Sequence, residues 1–116
     1  LSGTGGFGTH TLAPAALCMP LPAGFSHVDA AAFIMIYATS HHALVDRAQL
    51  NAGETVLVQA GASGVGLAAI QLAKRAGARV LATASSDARP EKLKAYGLDH
   101  GINYTKDAVP EAADQG

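Results

Sequence analysis

Charge is scarce in this sequence: 15% of its 116 residues are Asp, Glu, Lys or Arg, and the net charge is −1. Lys and Arg form no long run, so the electrostatic footprint of a nucleic-acid binder is missing and no nucleic-acid partner is expected. Cysteine is reduced to one residue, Cys18. A lone thiol makes no internal disulfide, and a reducing cytoplasm is the expected compartment. No unbroken apolar stretch approaches the roughly 18 residues of a spanning helix, so no membrane span is expected. No basic-then-apolar signal segment opens the chain. The first residue is Leu1 rather than Met, followed by Ser2-Gly3-Thr4-Gly5-Gly6. The sequence reads as a piece of something longer.

What is present is a chain about half apolar (49%), enough to build one small domain with a core. Residues 1–25 are rich in Gly, Pro and small residues, with short strands expected over 7–13 and 17–21. Ser26-His27-Val28-Asp29 has the form of a capping box with Asp in its last place. Residues 28–50 hold no Pro or Gly and predict one or two helices. The break is expected at Thr39-Ser40, because hydroxyl residues favour caps over helix interiors. Asn51-Ala52-Gly53 ends the segment.

Val56-Leu57-Val58 is a short apolar run that fits a strand buried on both faces. It leads through a Gly-rich turn at 61–66 into a helix expected over 65–76, with Val65, Ala69, Leu72 and Ala76 on one face. Gly77 stops that helix. Val80-Leu81-Ala82-Thr83 is a second strand. Residues 87–96 are a second helix, with Pro90 in its first turn and Gly97 at its end. Gly101-Ile102-Asn103-Tyr104 is a third strand. The class is therefore α/β, the first half of a doubly wound parallel sheet of the Rossmann type. The tail at 106–116 is polar and expected to be loose.

The turn itself reads Ala60-Gly61-Ala62-Ser63-Gly64-Val65-Gly66. A turn from a buried strand into a helix aims free backbone N–H groups at whatever sits above it, and the helix dipole adds partial positive charge. Glycines let a pyrophosphate approach the backbone. The strict G-x-G-x-x-G fingerprint is not met: Gly61 and Gly66 match its ends, Ser63 stands at its middle, and Gly64 follows. An ordinary tight turn in an α/β protein is the competing interpretation. A P-loop is excluded because Leu67-Ala68 follow Gly66 where Lys-Ser or Lys-Thr is needed, and a nucleophile elbow because Val65 stands where Gly is needed. A short-chain dehydrogenase turn is one residue longer, and that family's Tyr-x-x-x-Lys pair is missing: Tyr37, Tyr96 and Tyr104 precede His41, His100 and Ala108 at that spacing.

In NAD binders an acid about twenty residues past the glycines takes the ribose hydroxyls. Here the second strand ends in Thr83-Ala84-Ser85-Ser86, without a carboxylate at the tip. Hydroxyls there accept the extra phosphate of NADPH, and Arg89 just beyond suits a phosphate. Ser85 and Ser86 also suit the capping of the following helix, and Arg89 also suits solvent.

The run Gly53-Glu54-Thr55-Val56-Leu57-Val58-Gln59-Ala60-Gly61-Ala62-Ser63-Gly64-Val65-Gly66, followed by Ala68-Ala69-Ile70-Gln71-Leu72-Ala73, resembles the zinc-independent quinone oxidoreductase branch of the medium-chain dehydrogenase/reductase superfamily. Ala13-Pro14-Ala15 and Pro20-Leu21-Pro22 resemble that family's link from its GroES-like catalytic domain. Ala30-Ala31-Ala32 and residues 39–44 resemble its hinge helices, and Ile102-Asn103-Tyr104 its third strand. The resemblance implies three parts: residues 1–25 as the end of the catalytic domain, 26–52 as hinge helices, and 53–116 as half of the NADPH-binding domain. It implies hydride transfer from NADPH to quinones or to activated alkenes and carbonyls. By position, Ser86, Arg89 and Tyr104 match residues near the 2′-phosphate, with Arg89 in place of the more usual Lys. Thr39 matches the threonine beside the nicotinamide.

The zinc enzymes of the superfamily carry a cysteine ligand shortly before that threonine, where this chain has Met35 or a neighbour. A catalytic zinc needs three protein ligands. Cys18 lies elsewhere, and His41-His42 point apart on a helix, so no metal is expected. Whole family members are much longer and are expected to be homodimers, so this piece alone is expected to be inactive. A non-catalytic NADPH binder and an enoyl-reductase module of a larger synthase are the alternative functions.

Overall fold

The computed structural model describes residues 5–115. They fall into two compact units that divide after Met35. The first holds turns, a short 3-10 turn at Ala15–Leu17, and the start of helix α1 (His27–His41). The strands expected over 7–13 and 17–21 are not formed. Pro14, Pro20 and Pro22 remove ladder donors there, and a strand needs a partner that these segments do not find. The expected cap of α1 is present: the Asp29 N–H donates to Ser26 Oγ at 3.1 Å, and the Ser26 hydroxyl donates to Asp29 Oδ2 at 2.8 Å. Phe25 and Phe33 meet edge to face, centroids 5.4 Å apart.

The second unit begins within α1. The break expected at Thr39-Ser40 does not occur: α1 continues to His41 and widens into a π-helical run, His42–Arg47. Ser40 is buried, and its hydroxyl donates to the Val65 carbonyl at 2.9 Å. A hydroxyl engaged across to another helix does not compete for its own backbone. Tyr37 also donates its hydroxyl to Gln71 Oε1. By length and composition the run His27–Arg47 is long and apolar enough to cross a membrane, although it holds no unbroken apolar stretch of that length.

Among the described residues the sheet has three parallel strands, β1 (Thr55–Val58), β2 (Arg79–Ala84) and β3 (His100–Asn103), in the order β1-β2-β3. The register pairs Val58 with Ala82, and Ala84 with Asn103. Helix α2 (Gly64–Arg75) connects β1 to β2, and α3 (Ala88–Lys94) connects β2 to β3. The tail expected to be loose forms a further helix, α4 (Val109–Gln115). Pro110 in its first turn lacks only an N–H that has no partner there, and Glu111 complements the dipole.

Val58, Val80 and Ala82 pack with Ile70, Ala73 and Leu93 in one cluster, so α2 and α3 cover the same face of the sheet. The buried stripe of α2 is Gly66, Ile70 and Ala73, together with Ala68. The expected face of Val65, Ala69, Leu72 and Ala76 is rotated from it: Val65 and Ala76 are exposed. Small residues at 66, 68 and 73 carry the close contact, which an apolar periodicity based on larger side chains does not register. Only β2 is closed along its length, from Val80 to Ala84. In β1 only the face of Val56 and Val58 joins the core, and Leu57 on the other face is 39% exposed, so this strand is not covered on both faces.

Asp99, just before β3, ties the amino-terminal end of this layer together. Its carboxylate accepts from Lys74 Nζ at 2.6 Å and from the Val80 N–H at 2.8 Å, joining α2 to β2. The Lys74 contact, then the Val80 N–H, hold its carboxyl below the usual carboxylate value. A depressed folded-state value stabilises the fold above the unfolded-state pKa of about 3.9, and that contribution is lost as pH falls through the folded value. Asp99→Ala is expected to cost about 1 kcal/mol at neutral pH, because the pair is partly exposed. In urea titrations of the full-length protein the variant should also lose less stability than the wild type between neutral pH and the acid range; parallel pH curves would refute this role.

Candidate functional site

Beyond Val58 the chain turns sharply. Ala60 takes φ +51°, a left-handed conformation unusual for a residue with a Cβ. Gly61 and Gly66 are required by packing. A Cβ on Gly61 would lie 2.6 Å from the Ala82 Cβ, and one on Gly66 would lie 2.5 Å from the Ala60 carbonyl oxygen and 2.9 Å from the Gly61 Cα. The first turn of α2 therefore rests directly on the end of β1. Gly64 differs: a Cβ there would make an ordinary 3.4 Å contact with Ile36. Ser63, which stands where the fingerprint has its middle glycine, is the N-cap of α2. Its Oγ accepts from the Gly66 N–H at 3.0 Å. Ala62 and Val65 are exposed beside it.

Thr83 holds this turn from below. The Ala60 N–H donates to its hydroxyl at 3.1 Å, and the Gly61 N–H donates to its carbonyl at 3.0 Å. In the sequence Thr83 counts as one of several hydroxyls at the strand tip. The structure buries it and fixes it to the turn. Its signal in sequence is faint: one hydroxyl at the end of an otherwise apolar strand.

Above the turn lies a cleft of about 360 Å³, lined by Ala60, Ala62, Ser63, Thr83, Ala84, Ser85, Arg89 and Tyr104. It opens at the carboxyl ends of the strands. Arg89 Nη1 donates to Ser85 Oγ at 3.0 Å, which turns the guanidinium toward the cleft. The Tyr104 N–H donates to the Ala84 carbonyl at 3.2 Å, which sets the tip of β3 beside that of β2. Of the expected site residues, Ala62, Ser63, Ser85, Arg89 and Tyr104 meet here. Gly61, Gly64, Val65 and Gly66 form the turn and helix start beneath. Ser86 is half-buried and does not line the cleft, and Thr39 is exposed on α1 and does not line it either. The alternative role of Ser85 and Ser86 as caps is not realised, since Asp87 occupies the N-cap of α3 without a side-chain cap bond.

The polar side chains here are hydroxyls and one guanidinium, beside the amino terminus of α2, and no carboxylate among the described residues lines the cleft. Such a set receives a phosphate and has little to offer a cation. Among the described residues no group of three His, Cys, Asp or Glu side chains is placed to hold a metal. Cys18 is exposed, with its thiol on the Pro14 carbonyl at 3.4 Å, and His42 Nδ1 lies 3.0 Å from Asp46 Oδ2 on the π-helical run.

Residues 64–116 match the zinc-binding dehydrogenase family. In fold the chain is similar to the quinone oxidoreductase of Thermus thermophilus, also solved with NADPH, at 41% identity and a TM-score of 0.74 over 84% of this chain and 31% of that one. Over this segment the sequence and fold match a fragment of the medium-chain dehydrogenase/reductase superfamily. Its sheet is the first half of that superfamily's Rossmann-type domain. It is also similar to the erythronolide synthase EryA2 of Saccharopolyspora erythraea, 54% identical over 79 residues, which are 68% of this chain and 2% of the synthase. The crystal structure of CurK enoyl reductase is 33% identical, with a TM-score of 0.71 over 84% of this chain and 31% of the reductase. The segment thus spans less than a third of each of these relatives.

The packing makes the glycines of this superfamily segment unequal. Gly66→Ala is expected to cost about 1–3 kcal/mol, because its Cβ meets backbone that cannot yield. Gly64→Ala should change stability by no more than about 0.5 kcal/mol. Thr83→Val, which keeps the shape but leaves the Ala60 N–H without its acceptor, should cost about 1–3 kcal/mol. Thermal unfolding of the three variants checks the order; equal loss at Gly64 and Gly66 would contradict it.

Proposed function

We propose that this segment is the phosphate-binding half of the dinucleotide domain of an NADPH-dependent, zinc-independent reductase acting on activated double bonds. The cleft beyond β2 carries the proposal: it offers Ser85, Arg89 and Tyr104 where an NAD binder carries an acid. The NADPH complex of the Thermus relative supports the same cofactor. On this reading residues 1–25 end a GroES-like catalytic domain and residues 26–52 form hinge helices.

The roles of the residues follow from their places. The N–H groups at the start of α2 and the dipole behind them receive the pyrophosphate. Ser85, Arg89 and Tyr104 hold the 2′-phosphate, with Ser86 beside them. Thr39, on the hinge helix, orients the nicotinamide or a substrate oxygen. When bound, NADPH supplies the hydride; this chain's part is to hold and orient it. Enoyl groups are the favoured substrates, supported by the likeness to the CurK enoyl reductase together with the 54% identity to a synthase. Quinone reduction is the second reading, supported by the fold and 41% identity of that relative. A cytoplasmic, homodimeric whole protein fits either. The hydrogen bonds of Tyr37 and Ser40 to α2 support a packed rather than a membrane-spanning role for α1.

The full-length protein should bind NADPH at least about 10-fold more tightly than NADH, and Arg89→Ala should remove most of that difference, since a hydrogen bond to a charged group contributes about 1.5–3 kcal/mol. With NADPH it should reduce a crotonyl thioester faster than a benzoquinone. Preference for NADH refutes the cofactor assignment. Tight NADPH binding without oxidation by either acceptor refutes the enzyme.

A further inference from the structure

Asp87 is the one carboxylate in the connection between β2 and α3, the stretch from which a dinucleotide fold can present an acid to the ribose hydroxyls. It does not line the cleft of Ser85, Arg89 and Tyr104. It lines a separate hollow of about 280 Å³ beside α3 and β3, with Pro90, Asn103 and Asp107. Two side chains hold it there. Asn103 Nδ2 donates to Asp87 Oδ1 at 2.7 Å, and Lys106 Nζ donates to Oδ2. Asn103 is itself only 5% exposed. Its Oδ1 accepts from the Thr105 N–H at 3.1 Å and from the Thr105 hydroxyl at 2.6 Å, which fixes which way the amide points. Lys106 first, then Asn103, hold the Asp87 carboxyl below the usual carboxylate value, so it is ionised at neutral pH.

We propose that Asn103 and Lys106 are specificity-positioning residues: they turn Asp87 away from the dinucleotide cleft and neutralise it, so that the connection after β2 receives a 2′-phosphate and not a ribose diol. The inference rests on the NADPH reading and extends it to residues outside the cleft. A released carboxylate two residues from Ser85 repels a phosphate group of nearly two negative charges and offers acceptors to the hydroxyls of NADH. Asn103 is suited to its place because an amide both donates to Asp87 and accepts from Thr105. A carboxylate at 103 would put two like charges together.

The decisive variants are at exposed positions, where folding is least affected: Lys106→Met, Asp87→Asn and the two combined, in the full-length protein. Dissociation constants for NADPH and NADH are measured by titration for each. Lys106→Met is expected to weaken NADPH binding by about 3- to 10-fold, as one exposed charge pair allows, with NADH unchanged or tighter. Adding Asp87→Asn should return the NADPH/NADH ratio to within about 2-fold of the wild type. A structural role alone would weaken both cofactors together. Direct attraction of the phosphate by Lys106 would leave the double variant as weak as the single one. Either result, or an unchanged ratio in Lys106→Met, overturns the inference while the NADPH reading stands. A wild type that prefers NADH overturns both.

Discussion

The first turn of α2 lies against the end of β1 with no side chain between them, and the rest of the unit is arranged around that contact. Gly66 reaches the Ala60 carbonyl and Gly61 meets Ala82 only because neither has a Cβ. The approach aligns α2 with the sheet, so Ile70 and Ala73 fall onto Val58, Val80 and Ala82. It also forces Ala60 into a left-handed conformation that costs on the order of 1 kcal/mol. Thr83 offsets this with two hydrogen bonds to the same turn. Packing and the shape of the site are thus set by one constraint, because the helix that must touch the strand is also the helix whose N-cap, Ser63, lines the cleft.

The few charges are sorted by position along the sheet. At the amino end of β2, Asp99 joins Lys74 to the Val80 N–H. At the carboxyl ends, Arg89 is held by the neutral Ser85, and the acid of the same connection is drawn off to Lys106. A chain poor in charge keeps its carboxylates out of the cleft this way. The electrostatic preference then comes from arrangement, since a net charge of −1 carries no such bias.

The alternating strands and helices of residues 53–104 were legible because each signal was local: β-branched apolar runs, glycines with positive φ after α2 and α3, and Pro90 in a first turn. What was not legible depended on partners distant in sequence. Ser40 looked like a helix break because the Val65 carbonyl that occupies it lies in another helix. The buried face of α2 was misplaced because glycine and alanine carry it. The proline-flanked segments near the start were apolar enough for strands but had no ladder to join. In the site, the turn and the hydroxyl tip were visible as motifs. Thr83 as a brace and Asn103 as a clamp were not, because both act through the register of parallel strands that sequence alone does not show.

The open edge at β1 has a topological meaning. From β1 the winding runs through β2 to β3 in one direction. Any further strand that pairs with β1 on its free side reverses that direction, and its crossover carries the chain to the opposite face. Loops leaving two neighbouring strands wound in opposite senses diverge, and the crevice between them opens at the carboxyl ends of that pair, here at the end of β1. That end is residues 58–61. The turn braced by Thr83 would then be the floor of a groove with two walls, of which this segment supplies one.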